Sequence, residues 1–208
     1  MSDNRLIHLV DDDEAIRHSA SFMLRHAGFR VKTYPDGVVF LEQVAEAERG
    51  CILLDVQMPG MDGLEVQEVL NQRGVAMPVI VLTGHGDVAV AVRAMKAGAV
   101  DFVEKPYAKQ SLVDALTRAF ERLEARQHAD VLAEEARGLI ERLTARERDV
   151  LVGLVDGQTN KVIAQSLEIS PRTVEIHRAN LMEKMDAPSL STVLRIAFAA
   201  GFGNSAAS

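Results

Sequence analysis

Residues 51–63 read CILLDVQMPGMDG. Four apolar residues, Cys51, Ile52, Leu53 and Leu54, run into a carboxylate, Asp55, and a Pro-Gly turn follows at once. An unbroken apolar run of this length, without alternation, reads as a strand buried on both faces, as in parallel sheets. Burying an unpaired carboxylate costs roughly several kcal/mol even after relaxation. Groups elsewhere in the chain must therefore meet Asp55.

Four more runs have the same character, at residues 6–10, 29–33, 78–82 and 99–103. Between them apolar residues recur at helical spacing, as in Ala15, Ile16, Phe22 and Met23, or Leu64, Val66, Val69 and Leu70. Gly28, Gly74 and Gly98 each follow such a stretch, where a left-handed helix cap is needed. Strands alternating with helices predict an α/β domain over residues 1–124, a doubly wound, five-stranded parallel sheet.

The pattern then changes. Residues 109–143 hold no proline and one glycine and are rich in Ala, Leu, Glu and Arg, all strong helix formers. They predict a last helix that continues as a helical linker over 125–142, with Gly138 the one place where a break is open to it. Apolar residues beyond Leu123 are few (Val131, Leu132, Leu139, Ile140), which favours a solvated spacer over a coiled coil. Residues 143–208 predict an all-α, four-helix domain. Thr144 and Glu147 have capping-box spacing. TNKVIAQSLE (159–168) reads as a short helix, and Ile169, Ser170 and Pro171 form a tight turn. PRTVEIHRANLMEKMD (171–186) reads as a second helix with proline in its first turn. That pair is a helix-turn-helix.

Composition narrows the function classes. Nothing approaches the ~20 consecutive apolar residues that cross a bilayer, and the acidic N-terminal stretch is unlike a signal peptide. Cys51 is the only cysteine, so no intrachain disulfide forms, and a cytoplasmic location is expected. The net charge of −7 is unevenly spread. Residues 1–124 carry 13 Lys/Arg against 19 Asp/Glu, residues 125–143 carry 3 against 4, and residues 144–208 carry 7 of each. An acidic first body joined to a neutral second one leaves DNA open to the second.

Ligands of open α/β sheets bind outside the carboxyl ends of the strands. Asp11, Asp12 and Asp13 follow the first predicted strand, Asp55 ends the third, Thr83 follows the fourth and Lys105 the fifth. Asp13 has two readings, a fourth acid or a cap for the next helix. Clustered carboxylates need a counter-charge, and a hard divalent cation such as Mg2+ takes carboxylates, a carbonyl and water while leaving room for phosphate oxygens. Lys105 adds a mobile cation and Thr83 a hydroxyl. The set suits phosphoryl transfer onto Asp55 itself. A phosphohydrolase on a similar sheet would want a second acid two residues after the nucleophile; Gln57 stands there, so an enzyme is not expected. Gln57 and His85, each two residues past a site residue, are expected to set how long the phosphoryl group lasts.

With Asp11–Asp12, Asp55 in LLDVQMPGMDG, Thr83 and the Lys105-Pro106 pair in place, residues 1–124 resemble the receiver domain of bacterial two-component response regulators. The second domain resembles the LuxR-type DNA-binding domain. The whole resembles the FixJ/NarL family, with GHGDVAVAVRAMKAGAVDFVEKP and ISPRTVEIHRANLMEKM especially close to FixJ-type members. The resemblance implies that a sensor histidine kinase phosphorylates Asp55. It also implies that Asp11, Asp12, Asp55 and the Gln57 backbone carbonyl serve Mg2+, and that Phe102 is a switch aromatic moving with Thr83. A homodimer when phosphorylated would bind double-stranded DNA with two-fold related half-sites, as a transcriptional regulator.

The residues of the helix-turn-helix fit that role. The expected DNA contacts are Asn160, Lys161, Ser170, Arg172, Thr173, Glu175, Ile176, His177, Arg178 and Asn180, the first two suited to phosphates. Val174, Ile176, Leu181 and Met182 are candidates for core, with Ile176 alternatively exposed toward a thymine methyl. Glu175 and Arg178 could instead form an ordinary surface pair. In the last helix Val193, Leu194, Ala197 and Phe198 make an apolar stripe for core or for dimer contact.

Overall fold

Each apolar strand has two faces, and its alternate residues must each find a helical cover. A computed structural model of the chain describes residues 5–84 and 88–203; His85 lies outside the described residues. Contacts divide the chain into two compact units, one ending at Ala125 and the other beginning at Arg126.

In the first unit, β1 (Leu6–Val10), β2 (Arg30–Tyr34), β3 (Cys51–Asp55), β4 (Val79–Thr83) and β5 (Asp101–Glu104) form one parallel sheet in the order β2-β1-β3-β4-β5. The helices α1 (Glu14–His26), α2 (Gly37–Gln43), α3 (Gly63–Gln72), α4 (Val88–Lys96) and α5 (Lys109–Glu141) follow the strands in turn. Ile7, Leu9, Leu53, Ile80 and Leu82 point to one face and pack with Leu24 of α1 and Leu112, Leu116 and Phe120 of α5. Val10, Ile52, Leu54 and Val81 point to the other, with Phe40 of α2, Leu64 and Leu70 of α3 and Ala94 of α4. Cys51 is buried in the first of these layers. The doubly wound sheet read from the sequence is the observed fold, with β3 at its centre.

Local chemistry sets the element ends. Gly28, Gly74 and Gly98 all take positive φ after their helices. The last strand starts at Asp101, later than expected, because the Ala99 N–H is still spent on the Ala94 carbonyl of α4. Asp13 caps α1, accepting from the Ala15 and Ile16 N–H groups at 2.8 and 3.2 Å. That decides its double reading in favour of the cap. Helix α5 runs unbroken through Gly138, so the break open to it there is not taken. One interior glycine costs about 1 kcal/mol against alanine, less than the surrounding helix formers supply.

The second unit has α6 (Ala145–Val155), α7 (Asn160–Ser166), α8 (Pro171–Lys184) and α9 (Leu190–Ala199) around a core of Ile140, Leu143, Val150, Leu151, Ile163, Val174, Leu181 and Val193. The capping box of Thr144 and Glu147 is formed. Gly153 lets α6 approach α7 closely, since a Cβ there would meet Ile163 Cγ1 at 2.7 Å. Helix α7 ends before Leu167, Glu168 turns the chain at positive φ, and Ser170 caps α8 with Pro171 as its first residue. No helix among the described residues is long and apolar enough to cross a membrane.

Candidate functional site

A parallel sheet collects the carboxyl ends of its strands on one edge, and β3 pairs with both β1 and β4. Asp55 at the end of β3 therefore faces the residues that follow β1. Carboxylate oxygens of Asp11, Asp12 and Asp55 all lie within 4.8 Å of one another. Asp11 is fully buried, Asp55 nearly so, and Asp12 is exposed. From beyond β5, Lys105 Nζ reaches Asp11 Oδ2 at 2.7 Å and Asp55 Oδ2 at 3.0 Å. The Asp13 N–H donates to Asp11 Oδ1 at 2.9 Å.

Electrostatics separate the partners. Burial pushes the Asp55 carboxyl above its ordinary value and the Asp11 charge adds to this, against the pull of Lys105 and the Gln57 backbone N–H. Burial also works against the Lys105 ammonium, but its bonds to Asp11 and Asp55 outweigh that and raise it. A simple ion pair lowers the acid as it raises the base. Asp55 moves the other way because its burial outweighs the ammonium it shares with Asp11.

Thr83 is buried at the end of β4, its hydroxyl donating to the Gly84 carbonyl at 3.2 Å. Phe102 on β5 is 44% exposed, and it lines with Thr83, Val88, Ala91 and Met95 an apolar cavity of about 330 Å3. Gln57 is exposed.

Two supports escaped the sequence reading. Arg17, one turn into α1, donates from Nη1 to the Asp11 carbonyl at 2.7 Å and so holds the loop carrying both acids. Gly63 opens α3 against the Asp55 backbone: a Cβ there would stand 2.1 Å from the Asp55 carbonyl oxygen. A basic residue one helical turn past Asp13, and a glycine closing the Met-Pro-Gly-Met-Asp-Gly turn, were the available signals.

In the second unit the candidate DNA contacts lie along α7 and α8. Lys161, Arg172, Glu175, Ile176 and Asn180 are exposed, and Asn160, Thr173, His177 and Arg178 are partly so. Ser170 is tied into its cap, accepting from the Thr173 N–H at 3.1 Å with the Thr173 hydroxyl 2.8 Å away. Glu175 takes Arg172 at 2.9 Å rather than Arg178, so the alternative surface pair of Glu175 with Arg178 is not the one formed. Arg178 Nη1 instead donates to Asn160 Oδ1 at 2.7 Å. Val174 and Leu181 are buried, Met182 is partly so, and Ile176 is 49% exposed, which removes it from the core set. In α9, Val193 and Ala197 are core, whereas Phe198 is 53% exposed.

Comparison with known proteins agrees with both halves. Residues 7–117 match the response regulator receiver domain family, and residues 141–197 match the family described as bacterial regulatory proteins, luxR family. The transcriptional regulatory protein FixJ of Rhizobium meliloti (strain 1021) is 48% identical over 200 residues, covering 96% of this chain and 98% of its own. The tetrathionate response regulatory protein TtrR of Salmonella typhimurium (strain LT2) is 42% identical, over 91% of this chain and 90% of its own. Among solved structures, the response regulator StyR aligns with a TM-score of 0.76 at 37% identity, over 94% of this chain and 99% of its own. Full-length FixJ from B. japonicum aligns with a TM-score of 0.60 at 42% identity, over 95% and 97%.

Proposed function

The chain belongs to the two-component response regulators that join a receiver domain to a LuxR-type DNA-binding domain, and from that premise we propose that Asp55 is its phosphoacceptor. The protein is a phosphorylation-dependent transcriptional regulator. The observation that carries the assignment of Asp55 is the Lys105 ammonium set between Asp11 and Asp55. An undercompensated, nearly buried carboxylate beside a mobile cation is a nucleophile with its charge partner in place.

The donor is a sensor histidine kinase. An Asp55 carboxylate oxygen attacks phosphorus as the bond to the donor imidazole nitrogen breaks, and the electron pair leaves with that nitrogen. Asp11, Asp12 and Asp55 form a hard, all-oxygen donor set of the kind Mg2+ prefers, with the Gln57 carbonyl as the further protein ligand. Such an ion, when bound, neutralises charge on the transferred group. Lys105 then shifts its contact from the Asp55 carboxylate to a phosphoryl oxygen, and Thr83 exchanges its bond to Gly84 for one to another.

With Thr83 displaced, Phe102 turns from solvent into the cavity it shares with Thr83. This alters the face formed by α4, β5 and α5, where Val88, Val92 and Met95 are also exposed. A second phosphorylated copy pairs there, and the paired α8 helices enter two half-sites of double-stranded DNA. The arrangement operates in the cytoplasm. Gln57, at the open side of the site, governs access of a hydrolytic water.

The test uses acetyl phosphate with Mg2+ on wild type and Asp55→Ala. Wild type is expected to take up acid-labile label and to bind DNA more tightly; the variant does neither. Unchanged labelling of Asp55→Ala would remove Asp55 from this role, and DNA affinity indifferent to acetyl phosphate would remove the coupling.

A further inference from the structure

Helix α8 carries three cations, Arg172, Arg178 and Lys184, and their partners differ in kind. Arg172 sits on the Glu175 carboxylate at 2.9 Å and Lys184 on the Glu147 carboxylate at 2.7 Å, so each charge is offset within the fold. Arg178 alone of the three has a neutral partner among the described residues, Asn160 Oδ1 of α7 at 2.7 Å. It keeps its full charge while one of its five N–H donors is anchored.

We infer that Asn160 is a positioning residue, whose amide oxygen aims the Arg178 guanidinium so that Arg178 carries the charge that meets a DNA phosphate. The inference rests on the reading that α8 faces DNA, and it reassigns Asn160 within that reading. An amide oxygen accepts hydrogen bonds, as phosphate oxygens do, so Asn160 Oδ1 is of use only to a donor, and Arg178 is the donor it holds. The donors left on Arg178 form the planar fork that takes phosphate in bidentate fashion. Arginine gives up rotamer freedom in making such a contact, and the bond to Asn160 removes part of that freedom before DNA arrives. The bond also spans the turn, joining the first residue of α7 to the middle of α8.

A double-mutant cycle on the full chain separates this role from others. Wild type, Asn160→Ala, Arg178→Ala and the double variant are titrated with a fluorescent mixed-sequence DNA duplex over a range of salt. Phosphate contacts are independent of sequence, and each one lost flattens the dependence of log K on log salt by about 0.9. Arg178→Ala is expected to show that step. Asn160→Ala should weaken binding and flatten the dependence in the same direction, yet have no further effect in the Arg178→Ala background. A wild-type salt slope for Asn160→Ala, or effects that add, would overturn the inference; a folding defect would also appear as additive loss. If Arg178→Ala itself binds as wild type does, the placement of Arg178 at DNA fails first, and the role of Asn160 fails with it.

Discussion

Two acid–lysine contacts, one in each unit, show what separates the carboxylate proposed as phosphoacceptor from a structural one. In the second unit Glu147 Oε2 receives Lys184 Nζ at 2.7 Å and the Thr144 N–H at 2.8 Å, and the Thr144 hydroxyl accepts from the Glu147 N–H at 3.3 Å. Burial works against the charge of Glu147, but Lys184 and Thr144 outweigh it and hold the carboxyl below its ordinary value. In the first unit a single ammonium serves both Asp11 and Asp55, and burial raises Asp55 instead. The residue types are alike; at Asp55 burial, with the Asp11 charge added, outweighs the shared ammonium, and the shift reverses. A compensated carboxylate is a fixed strut, whereas an undercompensated one keeps charge and basicity available to an electrophile.

The comparison breaks most visibly at Lys184. Lys184→Met leaves a buried carboxylate held by Thr144 without its counter-charge, and should cost about 2 kcal/mol of second-unit stability, the desolvation penalty of an uncompensated charged group. Denaturant unfolding followed by hydrogen exchange in α6 and α8 measures this, and an unchanged midpoint would show that Glu147 needs no counter-charge. Asp55→Asn should act in the opposite sense. It removes an undercompensated charge at constant shape and should stabilise the first unit by about 1 kcal/mol, the usual gain when a functional strain is relieved. The only two tyrosines, Tyr34 and Tyr107, lie in the first unit and the chain has no tryptophan, so tyrosine fluorescence follows that unit alone. A destabilised Asp55→Asn would mean that Lys105 already compensates Asp55 in full.

How much of this was legible depends on the range of the interaction. The apolar run ending in Asp55, the glycines after the helices and the spacing of Thr144 and Glu147 are local signals, and each had its expected structural outcome. The gathering of Asp11, Asp55, Thr83 and Lys105 follows from strand order, because a parallel sheet puts all those ends on one edge. Partner choice was not legible. Glu175 has Arg172 and Arg178 at equal helical distance on either side, so spacing favours neither. The choice was made by Asn160, 18 residues from Arg178 in sequence, across a turn. The backbone contacts around Asp55 were half hidden for a related reason: Arg17 and Gly63 are visible in the sequence, but the carbonyl that Arg17 reaches and the backbone that Gly63 approaches are set by loop geometry.

The smallest expected effects lie in acid, and there the two units should diverge in sign. Glu147 is held below its ordinary value of 4.5, so its contribution to stability is complete above that value and is lost as pH falls through the folded one. Asp55 is raised above 3.8, so the cost of its charge is complete above the folded value and fades as pH falls toward 3.8. His8 complicates the raw profile of the first unit. It is buried between Tyr34 Oη at 3.0 Å and the Glu48 carbonyl at 2.9 Å, and burial lowers it from 6.5, so its support drains away as pH falls below that value. Wild type and Asp55→Asn share this background, which cancels in their difference. The stabilisation gained by Asp55→Asn, read by tyrosine fluorescence, should therefore shrink on acidification through the folded value of Asp55. The Glu147 support, read as the deficit of Lys184→Met, should shrink as pH falls below 4.5. One difference is a gain and the other a loss, and both must vanish as the acids become neutral. A gain from Asp55→Asn that persists unchanged below pH 3.8 would show that it comes from packing and not from the charge of Asp55.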